Sequence, residues 1–258
     1  MAESTLSLSY TDLLVSVGVF LGYKPLHADR SAVQQAEVER YIQAGVRQFY
    51  YPPASEGIEA GYQWSFLTPT TTIDTTADQA DDDLPDDLGR VLGDFYYEPD
   101  NFLRSIVLVS EARMLACRQE STDSGTPRYA SVHHKTSTGA DGQRFEVSWW
   151  PAPDAVYTLS YKYEAYQGVI SATYKYPLGG MKHSELILES CLAVAEQRGN
   201  DERGLHWDSF ISLLKAGIAQ DRKIGAGFYG HMGAQEGDVV SRRSNQSSYD
   251  ITYKGDTW

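Results

Sequence analysis

The chain has 258 residues, of which 41% are hydrophobic and 22% are charged, a composition typical of a folded globular protein with a sizeable core. The formal net charge is −13, with 35 acidic against 22 basic residues, which argues against a protein that grips nucleic acid through clustered Lys and Arg. No apolar run is long enough for a membrane span, and the apolar N-terminal run lacks the basic flank of a signal peptide. We therefore expect no membrane contact.

Two amphipathic helices are predicted at the start of the chain. Residues 9–22 begin with a capping-box pair, Ser9 and Asp12, and end at a glycine. Residues 31–50 begin at Ser31, keep apolar residues three and four positions apart, and end before two prolines.

An acidic run follows an aromatic and β-branched segment that predicts one or two strands. Seven Asp and no Lys or Arg lie between Asp74 and Asp87, and we expect a solvated loop there. The spacing of the carboxylates does not match a calcium-binding EF-hand loop. The candidate residues of this acidic loop are Asp81, Asp82, Asp83, Asp86 and Asp87.

The middle of the chain predicts mainly strands. A Pro-Asp-Asp sequence at residues 85–87 indicates the start of a short helix. Ser110 predicts the N-cap of another, and the apolar stretch before it, 102–110, predicts a strand. Three further strand candidates predict an antiparallel meander, with a hairpin turn between the first two. They are residues 128–135, 144–150 and 155–166.

Two more amphipathic helices, 183–199 and 205–225, are predicted before the C-terminal tail. Helices from both ends of the chain are expected to pack as a bundle. The predicted fold class is α+β: a helical bundle built from the N- and C-terminal helices, with a central β-rich antiparallel meander inserted and an extended tail. The predicted domains are 1–60 with 177–226 for the helical bundle, 61–176 for the β-rich insertion with short helices, and 227–258 for the tail.

Motifs of cofactor and catalytic sites lack their required context. Gly225, Gly227 and Gly230 match G-x-G-x-x-G, but a helix precedes them where a dinucleotide site needs a strand. Ser212 and Lys215 match S-x-x-K without the partner motifs of penicillin-binding enzymes. The two cysteines, in apolar helix-like stretches, are expected to be buried thiols, with a disulfide as the less favoured alternative. We expect no cofactor, no bound metal and no enzymatic activity.

The C-terminal tail is polar but carries bulky residues, some of which alternate as in a strand. Disordered segments are usually poor in aromatic residues, so the tail favours docking on a partner, with disorder as the alternative. The candidate docking residues are Arg242, Arg243, Tyr249, Ile251, Tyr253 and Trp258.

The order of these elements and several short sequences resemble bacteriophage head-to-tail adaptor proteins, over roughly residues 5–230. The resemblance is carried by the N-terminal helix pair, Tyr62-x-Trp64-x-Phe66, residues 84–87, residues 109–111, and the helical sequences from residue 177 onward.

The resemblance implies a structural protein of the virion neck, made in the host cytoplasm. It implies a ring, commonly of about twelve copies, that sits beneath the capsid portal, extends the DNA channel and offers a platform for a tail tube, nozzle or stopper protein. Genome DNA would pass through without specific binding. The tail residues would grip the portal, and the acidic run would line the channel or face solvent.

Two alternatives of other classes stay open. Abundant carboxylates fit a tail-associated cell-wall hydrolase, whose chemistry needs a carboxylate pair. The aromatic residues fit a tail module that binds a host glycan.

Overall fold

The computed structural model describes residues 3–54, 61–99, 103–136 and 142–225, and two short strands near the C-terminus. The chain forms two compact units, Met1–Arg222 and Lys223–Trp258. Helices and antiparallel pairs of strands together confirm the predicted α+β class. No helix in the described part of the chain is both long and apolar enough to cross a membrane.

Five helices form among the described residues, and their starts follow from local capping. The Ser9–Asp12 capping box is present, and Ser31 caps the second helix together with Gln34. Ser110 caps the third helix by accepting from the backbone N–H of Arg113. The helices are α1 Tyr10–Phe20, α2 Ala32–Tyr50, α3 Glu111–Glu120, α4 Ser184–Asn200 and α5 Leu205–Gly225.

Helices α1, α2, α4 and α5, termed here the helical region, share one hydrophobic core. Helices α2 and α4 approach so closely at Gly45 that a Cβ there would lie 2.5 Å from the Cα of Cys191. The hydroxyl of Ser190 donates to the carbonyl of Gly45 at 2.7 Å across the same contact. Cys191 is a buried free thiol, as is Cys117, so the two cysteines do not form the alternative disulfide.

The described residues in the middle of the chain form ten strands. They are β1 Thr70–Asp74, β2 Asp81–Asp83, β3 Leu88–Val91, β4 Tyr96–Tyr97, β5 Val107–Leu108, β6 Ser124–Gly125, β7 Tyr129–Lys135, β8 Arg144–Trp150, β9 Ala152–Pro153 and β10 Thr158–Ala165. These strands and helix α3, termed here the β block, enclose a second core around Phe95, Trp149 and Tyr161. One sheet has the order β2-β8-β7-β5, and in another β10 pairs with β1, β3 and β4.

The predicted three-stranded meander is wrong in its third member. Strands β7 and β8 pair antiparallel as expected, but β10 pairs with β1 and β3 in another sheet. Both edges of β8 are occupied, one by β7 and the other by β2, so β10 has no edge of β8 to join. Local sequence does not show this competition between strands.

The Pro-Asp-Asp signal is also wrong, because it precedes strand β3 and not a helix. Leu88 is 2% exposed in the core of the β block, and Val91 pairs with Tyr163 of β10. Burial between strands thus overrides the local helix signal. The strand predicted over 102–110 is much shorter, and its β5 residues pair with β7 in parallel.

The second compact unit contains one described strand pair, β11 Thr252–Tyr253 with β12 Asp256–Thr257. Tyr253 therefore lies in a strand. Gly225 ends helix α5, so the glycine motif begins at a helix end. Other tail candidates and the later glycines lie outside the described residues: Arg242, Arg243, Tyr249, Ile251, Trp258, Gly227 and Gly230. The predicted domain boundaries stay a prediction.

Candidate assembly surfaces

Two adjoining cavities of about 360 and 720 Å³ follow the exposed side of α2. Gln43, Arg47 and Val169 line both of them, so together they form one groove. The side-chain amide of Gln43 donates to the carbonyl of Ile170 at 2.7 Å, which fixes the segment that forms the opposite wall. This surface is termed the arginine groove, and its main lining residues are Tyr10, Arg40, Gln43, Arg47, Tyr166, Val169 and Arg198.

The helical period places the arginines of α2 in this groove. Val38, Ile42 and Phe49 face the core and are fully buried, whereas Arg40 and Arg47 are exposed. Residues seven positions apart lie two turns apart on the same side of a helix, so both guanidinium groups point to one surface. Arg198, near the end of α4, completes the set because α4 packs beside α2.

The groove is positively charged. In the described ranges, no carboxylate oxygen lies within 4.0 Å of the guanidinium of Arg40, Arg47 or Arg198. Glu39 also lines the groove, so three guanidinium groups lie there beside one carboxylate. The groove therefore carries a net positive charge on a chain of net charge −13.

The acidic run is not a loop at Asp81–Asp83, and that part of the prediction is wrong. These residues form β2, which pairs with β8. Asp82 is 8% exposed and accepts a hydrogen bond from the indole N–H of Trp149 at 2.7 Å. A strand alternates its side chains between two faces, so the central carboxylate turns inward and its neighbours turn outward.

The outward carboxylates of β2 pair with a cation of helix α3 and a cation of strand β7. Asp81 accepts from Arg118 at 2.6 Å and from the hydroxyl of Ser148, and Asp83 lies 2.6 Å from Lys135. Burial acts to raise the pKa of Asp81, but the bonds from Arg118 and Ser148 outweigh it and hold that pKa below its usual value. These charges therefore stabilise the sheet.

Asp86 and Asp87 do lie in an exposed turn, as expected. Asp86 lies 3.4 Å from the guanidinium of Arg144, and Asp87 accepts from the hydroxyl of Tyr163 at 3.2 Å. Whether the acidic run faces a DNA channel stays a prediction.

A second acidic surface, termed the acidic tip, lies at one end of the β block and consists of Asp74, Asp78, Asp123 and Asp154. The backbone N–H of Asp78 donates to the carbonyl of Pro153 at 2.7 Å, which holds two of its turns together. The hydroxyl of Ser124, next to Asp123, donates to Asp78 at 2.8 Å.

The acidic tip keeps its negative charge. Hydroxyl groups of Thr158, Ser124 and Tyr157 donate to Asp74, Asp78 and Asp154 respectively. Over the described ranges none of the four carboxylates has a cationic partner within 4.0 Å. The molecule therefore has one surface with a net positive charge and another with a net negative charge.

Residues 8–228 match the family described as SU10 adaptor protein. The chain belongs to this family of phage head-to-tail adaptors. No curated protein sequence matches it. Because the match spans both hydrophobic cores, the family assignment applies to the helical region and to the β block, and it implies a structural component of the phage virion neck.

The aromatic sequence that resembles the adaptors has a structural role in this member. Trp64 is fully buried and its indole N–H donates to the carbonyl of Phe49 at 3.1 Å. The hydroxyl of Tyr62 and both the N–H and the hydroxyl of Ser65 donate to the carboxylate of Asp221 on α5. This stretch therefore fastens the segment after α2 to the last helix.

Two buried side chains of the adaptor, a thiol and an imidazole, have pKa values shifted by burial. Burial raises the pKa of the Cys191 thiol to about 12 and lowers the pKa of the His183 ring. Among the residues with a described structure, no group of three His, Cys, Asp or Glu side chains is arranged to hold a metal.

Sequence reasoning missed both charged surfaces, for different reasons. The helical spacing of Arg40 and Arg47 shows that they share a face, so this pair could have been found. Arg198 reaches the groove, and Asp123 and Asp154 reach the tip, only through tertiary packing. No local pattern indicates such neighbours.

Proposed function

We propose that this protein is a ring-forming, non-enzymatic head-to-tail adaptor that binds beneath the capsid portal and provides the attachment platform for a tail tube, nozzle or stopper protein. The observation that carries the proposal is the family match across residues 8–228, which includes nearly all of the first compact unit. A ring of about twelve copies would extend the portal channel during DNA ejection.

The charge of the chain fits a channel wall. At −13 per copy, a ring is strongly negative, and like charge repels the phosphates of the genome. DNA would then slide through without being held. The acidic residues Asp81, Asp83, Asp86 and Asp87 are candidates for such a wall, since they lie on exposed or half-exposed positions of the β block.

The C-terminal tail is proposed to dock on the portal. Its described part is the strand pair β11–β12, and a two-stranded ribbon is at best marginally stable on its own in water. Addition to a sheet edge of a partner would stabilise it through main-chain hydrogen bonds. The proposed portal contacts are Arg242, Arg243, Tyr249, Ile251, Tyr253 and Trp258.

Native mass spectrometry of the chain mixed with the portal protein of its own phage tests the proposal. The intact chain is expected to add to the portal in a fixed, symmetric number, and a chain truncated after Val240 is expected to fail. If both forms add equally, the adaptor proposal stands and the docking role of the tail is refuted. If neither form adds, portal binding is refuted.

The hydrolase alternative has less support, because three carboxylates of the acidic run pair with cations of the β block. Clearing of peptidoglycan on a zymogram, lost on a single carboxylate change, would nevertheless establish it. Binding of the isolated chain to a glycan array would support the glycan-binding alternative.

A further inference from the structure

We infer that the arginine groove of one copy binds the acidic tip of the next copy, so that the adaptors associate head to tail. The inference rests on the proposed ring and names the two surfaces that would join its neighbours. Its occupant is a second copy of this chain, chosen because the net charges of the two surfaces are opposite.

Strand β10 separates the two surfaces within one chain. Its first residue, Thr158, pairs with Asp74 of the tip, and Tyr166, directly after its last residue, lines the groove. Eight residues at a rise of ~3.3 Å per residue span about 23 Å between the first and last Cα. Ion pairs need contact distances, so groove and tip of the same chain cannot neutralise each other.

Two different surfaces that attract each other make a heterologous contact, and repetition of that contact gives a ring if the rotation closes. Face-to-face pairing of two grooves, or of two tips, would instead oppose like charges. The charge pattern therefore selects the head-to-tail arrangement that a ring requires.

The side chains suit a protein interface. Guanidinium groups bind carboxylates with two parallel hydrogen bonds, and Tyr and Arg are enriched among residues that carry binding energy. Tyr166 is 49% exposed and Val169 is 68% exposed at the groove, and Val156 beside Asp154 is 66% exposed at the tip. Apolar contact between these side chains would accompany the ion pairs.

Reciprocal charge reversal provides the test, with loading on the portal measured by native mass spectrometry. A groove-reversed variant carries Arg40→Glu, Arg47→Glu and Arg198→Glu, and a tip-reversed variant carries Asp74→Lys, Asp78→Lys, Asp123→Lys and Asp154→Lys. Each variant alone places like charges at every contact, so we expect its loading to be at least about tenfold weaker than that of the wild type. A 1:1 mixture of the two variants restores opposite charges at every contact, and so does one chain with all seven changes.

Arg113→Glu on α3 is the matched control, because Arg113 is exposed and lies outside the groove. It should load like the wild type. Circular dichroism and melting of every variant exclude unfolding. If the wild type loads and both reversed variants load equally well, the inference is overturned while the proposed function stands.

Cross-linking of the protein without the portal tests the contact between copies separately from portal binding. One variant carries Ala36→Cys in the groove, and the other carries Ala155→Cys at the tip; both positions are exposed. The native Cys117 and Cys191 are buried, so the reagent should not reach them. In a concentrated mixture of the two variants, a short bismaleimide should join them, and adding Arg47→Glu should abolish the product.

A cross-linked product without any loading on the portal would keep the contact between copies and refute portal binding. Absence of a product, both free and on the portal, would overturn the inference.

Discussion

The helical region and the β block hold their buried carboxylates in different ways. In the helical region, Asp221 is 4% exposed and accepts three hydrogen bonds from Tyr62 and Ser65, all from neutral donors. In the β block, Asp82 is 8% exposed and its short bond, at 2.7 Å, comes from Trp149. One carboxylate therefore joins two distant segments, and the other anchors a single indole.

The surfaces of the two regions differ as well. In the β block, Arg118, Lys135 and Arg144 pair with Asp81, Asp83 and Asp86, whereas the four carboxylates of the acidic tip have no such partner among the described residues. The helical region leaves its groove arginines unmatched by described carboxylates. The ion pairs of the β block stabilise its fold, and we expect the clustered charges of the groove and the tip to meet other chains.

Removal of the carboxylate in the helical region should have the largest effect on stability. Asp221→Ala leaves two hydroxyl groups and one backbone N–H without their acceptor, and each buried unpaired group costs about 1–3 kcal/mol. We expect the free energy of unfolding to fall by about 4 kcal/mol in urea titrations. Gln220→Ala, exposed on the same helix, should change it by less than about 0.5 kcal/mol. A loss below about 1 kcal/mol for Asp221→Ala would show that the network does not fasten α5.

Close packing of the helical region should give the next largest effect. Gly45→Ala places a methyl group against the backbone of α4, so we expect a loss of about 2–3 kcal/mol from overpacking. Gly199→Ala is the control with opposite sign, because no atom lies within 4 Å of its added Cβ. It should gain about 0.5 kcal/mol by reducing the freedom of the unfolded chain. Equal effects at both glycines would contradict the close contact between α2 and α4.

Removal of the buried carboxylate of the β block should cost less stability than removal of Asp221. Asp82→Ala removes the acceptor of one indole N–H, and we expect a loss of about 2 kcal/mol, half of that for Asp221→Ala. Asp86→Ala, whose side chain is 77% exposed, should cost less than about 0.5 kcal/mol. Thermal melting of the three variants checks the order. If Asp82→Ala matches Asp221→Ala, the number of donors does not set the cost.

Changes at titratable groups should have the smallest effect on the free energy of unfolding. The two regions should lose this stability in different pH ranges. Burial lowers the pKa of His183 below 6.5, partly opposed by the charge of Asp221, so its neutral form contributes stability that is lost as pH falls below about 6.5. The lowered pKa of Asp81 contributes stability present above about 3.8 and lost as pH falls through the folded value.

Urea titrations from pH 7 to pH 3 check this. His183→Gln should flatten the decline between pH 7 and pH 5, and Asp81→Asn should flatten only the decline below pH 4. If both variants keep the wild-type profile, other groups control acid stability.

The helical region could be predicted from the sequence because its signals are local. Ser9 with Asp12 and Ser31 begin its first two helices, and the apolar period shows which side is buried. The β block could not be predicted to the same depth, although Ser110 does indicate its helix α3. Its strand order depends on which strands occupy the two edges of β8, and residues 81–83 form the strand that takes one of them. Such pairings are properties of the fold and leave no mark on neighbouring residues.

Cryo-electron microscopy of the virion neck tests the central claim most directly. Side chains in a map of the intact particle would identify which protein lies beneath the portal. The account predicts a closed ring of this chain directly against the portal, with the residues after Val240 in contact with it. A portal bound by another protein, with this chain at the distal end of the tail or missing from the particle, would contradict the account.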